Sequence, residues 1–276
     1  MAITTRAGLA AARKDPWPFF LSANSTGLEF LFFPPSNSGN LQPWNRLWSN
    51  PATFGSGGSL LTKASAGMLP FASPVGGEKC YLARQQYHVD GTASTGYGVR
   101  ALWYDLVWGC SGFDGTVTTP QNVVGFPALS RPDANGTSLD LILVNLSSGG
   151  ATLVNATISY TNESGTAGRT AVTEVTKRFD YLGLTHIVAK QSGDRGVQSV
   201  QSLTFSATTG SAGNVGLFLG KLVGVAEAPL KYYDPVDLDY ARAGMTEIHE
   251  DAALMPIVAG ATAGRAMRGV MSLAYG

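Results

Sequence analysis

LDLILVNLSSGGATLVNATISYTNESGTAGRTAVTEVT occupies residues 139–176, and GDRGVQSVQSLTFSATTGSAGNVGLFL occupies residues 193–219. Short runs of Val, Ile, Leu and Thr alternate with turns rich in Gly, Ser and Asn. β-branched residues suit a pleated, half-buried surface, and Gly and Asn supply the backbone conformations of tight turns. Strands are therefore expected at 139–146, 151–161, 169–177, 184–190 and 197–208. SSGG joins the first two, NESGTAG joins the next two, and GDRG precedes the long strand VQSVQSLTFSA. There Val197, Val200, Leu203 and Phe205 are expected to face the core. Their spacing breaks strict alternation, and a β-bulge near Ser199 reconciles it. TGSAGN then turns the chain into VGLFLGKLVGV. A strand roughly every 10–15 residues marks a sandwich or barrel.

Upstream, CYLARQQYHV and VRALWYDLVW read as two more strands around the turn signal Asp90-Gly91. Tyr81, Tyr87, Trp103, Tyr104 and Trp108 make them the aromatic centre of the chain. TRAGLAAARK at 5–14 is a helix candidate, capped by Thr5 and stopped by Asp15-Pro16. FLSANSTGLEFLFFPP holds two strand-like pieces around a polar turn. Residues 34–80 are irregular and carry Trp44 and Trp48. Downstream of Leu230, MTEIHEDAAL is weakly helical and GVMSLAY is a last strand. The expected fold is mainly β: an antiparallel β-sandwich or barrel with an irregular N-terminal arm and a small C-terminal extension. The segments are 1–78 as arm, 79–229 as sandwich core, and 230–276 packing back on it.

The 276 residues carry 19 basic and 19 acidic side chains, so the formal net charge is zero. No field favours nucleic acid or an anionic membrane. No run approaches the ~20 apolar residues of a membrane span, and residues 1–20 lack the apolar core of a secretory signal. Charged residues are 14% of the chain, against about 25% in ordinary soluble proteins. Low charge with zero net charge disfavours a free monomer, and a covering partner surface is expected. Cys80 and Cys110 make no disulfide framework and belong to no Cys/His cluster, so two buried thiols are the default. Five glycosylation sequons, at Asn24, Asn135, Asn145, Asn155 and Asn162, read as turn and strand residues.

Catalytic patterns are sparse. Gly109-Cys110-Ser111-Gly112 lacks the spacing of a nucleophile elbow. His88, His186 and His249 are isolated in sequence. GTAGRT lacks the lysine of a phosphate loop and reads as a hairpin turn. Asp234, Asp237 and Asp239 lack the Gly and distal Glu of a calcium loop, which favours a solvated turn. Glu247, Glu250 and Asp251 read as the exposed face of a short helix. Asp105, in an apolar strand, is expected to pair with Arg100. No catalytic, metal or cofactor residue is assigned, and the chain is expected not to be an enzyme. The aromatic stretches suit core, interface or sugar stacking equally. Trp17, Phe19, Phe20, Trp44 and Trp48 are the expected interface anchors.

SYTNESGTAGRTA (159–171) and residues 193–219 resemble a family of tailed-phage virion proteins. In that family a strand ending in YTN leads through a Gly turn into a GRT strand, and a GD-GV-SV strand comes later. ALWYDLVW (101–108) and the small-residue C-terminal end are similar too. The likeness covers roughly half the chain, by the same strand-and-turn patterning. It implies a structural protein of capsid decoration or cement type, with major capsid protein and copies of itself as partners, located in the virion and assembled in the host cytoplasm. It implies a homo-oligomer and no catalytic residues. A tail, baseplate or neck protein and a carbohydrate-binding β-sandwich remain alternatives.

Overall fold

The computed structural model of the protein describes residues 8, 12–23, 29–31, 57–65, 68, 71–90, 99–147, 149–173, 184–228, 236–238, 246–260 and 265–276. The fold is mainly β, built from antiparallel strand pairs in several sheets. Two compact units form. One comprises Asn50–Thr62 and Leu106–Leu222, and the other Met1–Ser49, Lys63–Asp105 and Val223–Gly276. Among the described residues, no helix is long and apolar enough to cross a membrane.

The 50–62/106–222 unit is sandwich-like. One sheet has the order β6 (Gln121–Asn122), β11 (Val197–Phe205), β8 (Ala156–Asn162), β9 (Arg169–Val172). In the other, β7 (Leu139–Ser147) pairs with β10 (Leu184–Val188) and with β12 (Asn214–Ala228) over its first eight residues. β3 (Ser59–Leu60) pairs with β5 (Val99–Phe113) at Gly109 and Trp108. Leu141, Leu143, Leu217 and Leu219 meet Ile158, Tyr160, Leu203 and Phe205 in one buried cluster. β7 is buried almost without interruption, as a central strand covered on both faces must be.

The long β11 strand has the expected pattern. Val197, Val200, Leu203 and Phe205 are all buried. Its register against β8 shifts between Val197 and Ser199 and again between Val200 and Ser202. The first shift is the expected bulge, and the second is its repeat at Gln201. Each extra residue restores the inward phase of the next apolar side chain. A one-residue slip would turn all four outward. At roughly 1.5–3 kcal/mol each, that loses about 6–12 kcal/mol, comparable with the whole net stability of a domain.

In the other unit, β16 (Arg265–Tyr275) runs between β1 (Arg13–Ala23) and β4 (Cys80–Asp90), and β4 also pairs with β13 (Val236–Leu238) and β14 (Glu247–Ile248). β15 (Leu254–Gly260) pairs with β2 (Glu29–Leu31) on one side and with Val99–Asp105 of β5 on the other. The C-terminus is tied down: Lys79 and Gly276 exchange two backbone hydrogen bonds of 3.1 Å, and the Tyr275 hydroxyl donates to the Ala72 carbonyl at 2.9 Å.

Several sequence expectations change here. Arg13 and Lys14 open β1 instead of closing a helix, and Asp15-Pro16 lies inside that strand. Of residues 5–12, only Gly8, which is helical, and Ala12 are described. β1 tolerates Pro16 and Pro18 because it ends its sheet. Positions two apart send their backbone N–H sites to the same side, and an edge strand has one side with no ladder to interrupt. Residues 246–254, the described part of the weakly helical 245–254, are strand, turn and strand instead of helix. Glu247 and Ile248 pair with Tyr81 and Cys80, Ile248 is buried, and tertiary pairing overrides a weak local helix preference. β8 starts at Ala156, five residues later than expected. β4 and β5 do not form a hairpin among the described pairings; they enter different sheets.

Candidate functional site

Of the expected anchors, Trp17, Phe19 and Phe20 sit on β1 at register positions opposite Met271, Gly269 and Arg268. Trp44 and Trp48 lie outside the described residues. Asp237 pairs in register with Gln86 on β4, while Asp234 and Asp239 lie outside the described residues. Glu247 makes an exposed ion pair with Lys79 at 2.8 Å, which raises the lysine pKa. Glu250 and Asp251 are exposed, and His249 Nδ1 accepts the Asp251 N–H at 3.1 Å. No group of three potential metal ligands occurs among the described residues. Asp105 is buried and accepts the Ala253 N–H at 2.8 Å; the side chain of Arg100, its expected partner, lies outside the described residues.

Cys80 and Cys110 are both buried, and no disulfide joins them. Burial pushes the Cys110 thiol up to about 12, so it is neither a nucleophile nor a ready redox partner. Asn145 is fully buried on β7 and Asn162 nearly so, which makes these sequon residues part of the fold.

The turns that carry the family resemblance converge on one carboxylate. The β8–β9 hairpin turns through Gly165 and Gly168, both at positive φ, and brings Arg169 opposite Tyr160. The loop before β11 delivers Asp194. Arg169 Nε donates to Asp194 Oδ2 and Nη2 donates to Oδ1, each at 2.9 Å. The Tyr160 hydroxyl donates to Oδ2 at 2.6 Å, and Asn162 Nδ2 donates to Oδ1 at 2.8 Å. The Tyr160 oxygen in turn accepts the Gln191 N–H at 2.8 Å. Beside them, Glu163 Oε2 accepts the N–H groups of Arg195 and Gly196. YTN, GRT and GDRG are thus one interlocked cluster.

The Arg169 guanidinium, helped by Asn162 and Tyr160, holds the Asp194 carboxyl well below the usual range despite its burial. Burial, then the hydrogen bond to Asp194, pushes Tyr160 up to about 12. Asp194 has two donors on each oxygen, and a carboxylate offers about four lone-pair sites. Nothing remains for a metal or a substrate. The cluster locks turns. By sequence alone GDRG reads as a plain loop. The available signal was charge scarcity: between residues 141 and 173 only Glu163 and Arg169 are charged.

The same sheet has a second property. Its inward side holds the core, and its outward side holds Thr157, Ser159 and Thr161 of β8, Ser199, Ser202 and Thr204 of β11, Thr170 and Val172 of β9, and Asn122 of β6. Gln201, the bulge residue, joins them by donating to Thr161 Oγ1 and Ser199 Oγ at 3.1 and 2.9 Å. None of these ten is ionisable. An ordinary surface, about 25–35% charged, would place about three charges there. All ten are half-buried or exposed.

No family model and no curated protein matches the chain. Among solved structures, the chain is similar to the protein of T=1 particles derived from infectious bursal virus, at 13% identity and a TM-score of 0.21, covering 96% of this chain and 77% of that one. It is also similar to the infectious bursal disease virus Gt strain structure, at 10% identity and a TM-score of 0.20, covering 96% and 81%. At such TM-scores the backbones do not superpose as one fold, and the likeness assigns neither a fold family nor a function.

Proposed function

We propose that the chain is a structural protein of a virion, of capsid decoration or cement type, that stabilises the head by binding the major capsid protein beside copies of itself. The observation that carries this reading is the Asp194 cluster. The residues by which the sequence resembles phage virion proteins are the ones that lock the β8–β9 hairpin to the start of β11. The resemblance therefore lies in a built unit and not in turn composition alone. The uncharged outward face and the low overall charge support it, because interface cores are depleted of charge.

In this reading residues 1–78 form the arm, 79–229 the body, and 230–276 the segment that closes back on it. The anchors are Trp17, Phe19, Phe20, Trp44 and Trp48. Pro16 and Pro18 lie in β1 at the end of its sheet, and prolines blunt edge strands, so in this reading the arm engages a partner through its aromatic positions more than by strand addition. Many weak contacts repeated over a lattice supply avidity. The test is co-sedimentation of purified protein with decoration-free shells, with shell melting measured afterwards. Binding with a raised melting temperature is expected, and Trp17→Ala with Phe20→Ala should weaken it. No binding, or binding with unchanged shell stability, rejects the proposal.

A further inference from the structure

We propose that the uncharged outward face of the β6-β11-β8-β9 sheet is a self-association surface, on which the same face of a second copy of this chain packs. This deepens the capsid reading by naming where copies meet, and rests on it only for what makes copies neighbours.

The chemistry of the face selects the occupant. Nine of its ten side chains carry a hydroxyl or amide, which both donates and accepts hydrogen bonds, and the tenth, Val172, is apolar. A two-fold axis brings a face against its own copy, so any charge near the axis meets its like. Around Ser159, flanked in register by Ser202 and Thr170, the described residues of the face hold none to repel. A strongly charged partner, by contrast, would find no counter-charge here.

Ordering the face costs little. Ser and Thr lose less rotamer freedom on burial than Lys, Arg or Glu. Gln201, the longest side chain present, is already held by Thr161 and Ser199. The edge of the sheet is a poorer meeting place, because the outward Thr170 N–H is already bonded to Gln191 Oε1 at 3.3 Å.

Size sets the strength. The four strands hold 2, 9, 7 and 4 residues, and at about 4.8 Å between strands and about 3.3 Å per residue they give a face of roughly 350 Å². Two such faces bury about 700 Å², below the ~1,200–2,000 Å² of stable dimers. The contact is therefore weak in dilute solution and becomes populated when copies sit side by side on a lattice at high effective concentration.

The test is sedimentation velocity of the full chain over a wide concentration range, for wild type, Ser159→Lys, Ser159→Glu and an equimolar mixture of the two variants. Circular dichroism checks that each variant is folded, and Thr157→Lys with Thr157→Glu serves as a second pair. Wild type should show a concentration-dependent rise in sedimentation coefficient. Each single variant should associate at least about tenfold more weakly, and the mixture should recover association. A wild type that stays monomeric, or lysine variants that associate like wild type, overturns the proposal. So does a mixture that fails to recover. Failure of wild type to bind shells would reject the capsid reading while leaving this result standing. Loss of shell binding by Ser159→Lys, with wild type monomeric, would assign the face to the capsid protein instead.

Discussion

Arg169 and Asp194, 25 residues apart in the chain, meet through two parallel hydrogen bonds of 2.9 Å, and the carboxylate side chain is only 3% exposed. Such a fork-to-fork pair fixes orientation as well as position. It fastens the tip of the β8–β9 hairpin to the entry of β11, so the four-stranded sheet is held at its end as well as along its ladders.

Asp194 makes acid stability depend on this pair. Its folded pKa lies below the ordinary aspartate value, so it contributes stability above the unfolded pKa of about 3.9. That contribution fades as pH falls from there through the folded value. Thermal melts between pH 7 and pH 2 should show wild type losing stability below about pH 4. Asp194→Asn should melt lower at pH 7 and show a flatter acid limb. An acid limb identical to wild type would refute the assignment.

Tyr160 is fully buried, and its hydroxyl bridges Asp194 and the Gln191 backbone. Tyr160→Phe keeps the ring in the core and deletes both bonds. A loss of about 2 kcal/mol is expected, because one of them goes to a charged group. Chemical denaturation with an unchanged m-value measures it. Wild type should also lose stability as pH rises from about 10, through the folded value of about 12, and the Phe variant should lose less.

Both cysteines are buried and held as thiols, with no disulfide between them. A thiol reagent at pH 8 should leave them unmodified in the native protein and titrate two thiols after denaturation. Rapid native labelling of Cys110 would contradict its raised pKa.

Gly136 has φ +67, and a Cβ there would stand 1.9 Å from the Val197 carbonyl oxygen. Gly136→Ala should cost more than the about 1–3 kcal/mol of backbone strain alone. Gly76 has a similar φ of +60 but nothing within 4 Å, so Gly76→Ala should cost only the strain. Equal melting temperatures for the two variants would remove the packing term.

Much of the sandwich-like unit was legible locally. ATISYTN alternates strictly, so Ala156, Ile158 and Tyr160 were bound for one face and Thr157, Ser159 and Thr161 for the other. The bulge near Ser199 was legible because four apolar residues fit one face only with an extra residue inserted. The segment 245–254 misled because its helix preference is weak and its strand partners, Tyr81 and Cys80, lie far away in sequence.

Local pattern alone decides which residues of 139–219 are strands and which are turns, since side-chain parity and turn chemistry act over a few residues. It cannot decide which strands become neighbours, since sheet hydrogen bonds are chosen by long-range packing. Only the fold puts Asp194 beside Arg169, and only the pairing of β6, β11, β8 and β9 gathers scattered Ser, Thr, Asn and Gln positions into one uncharged face.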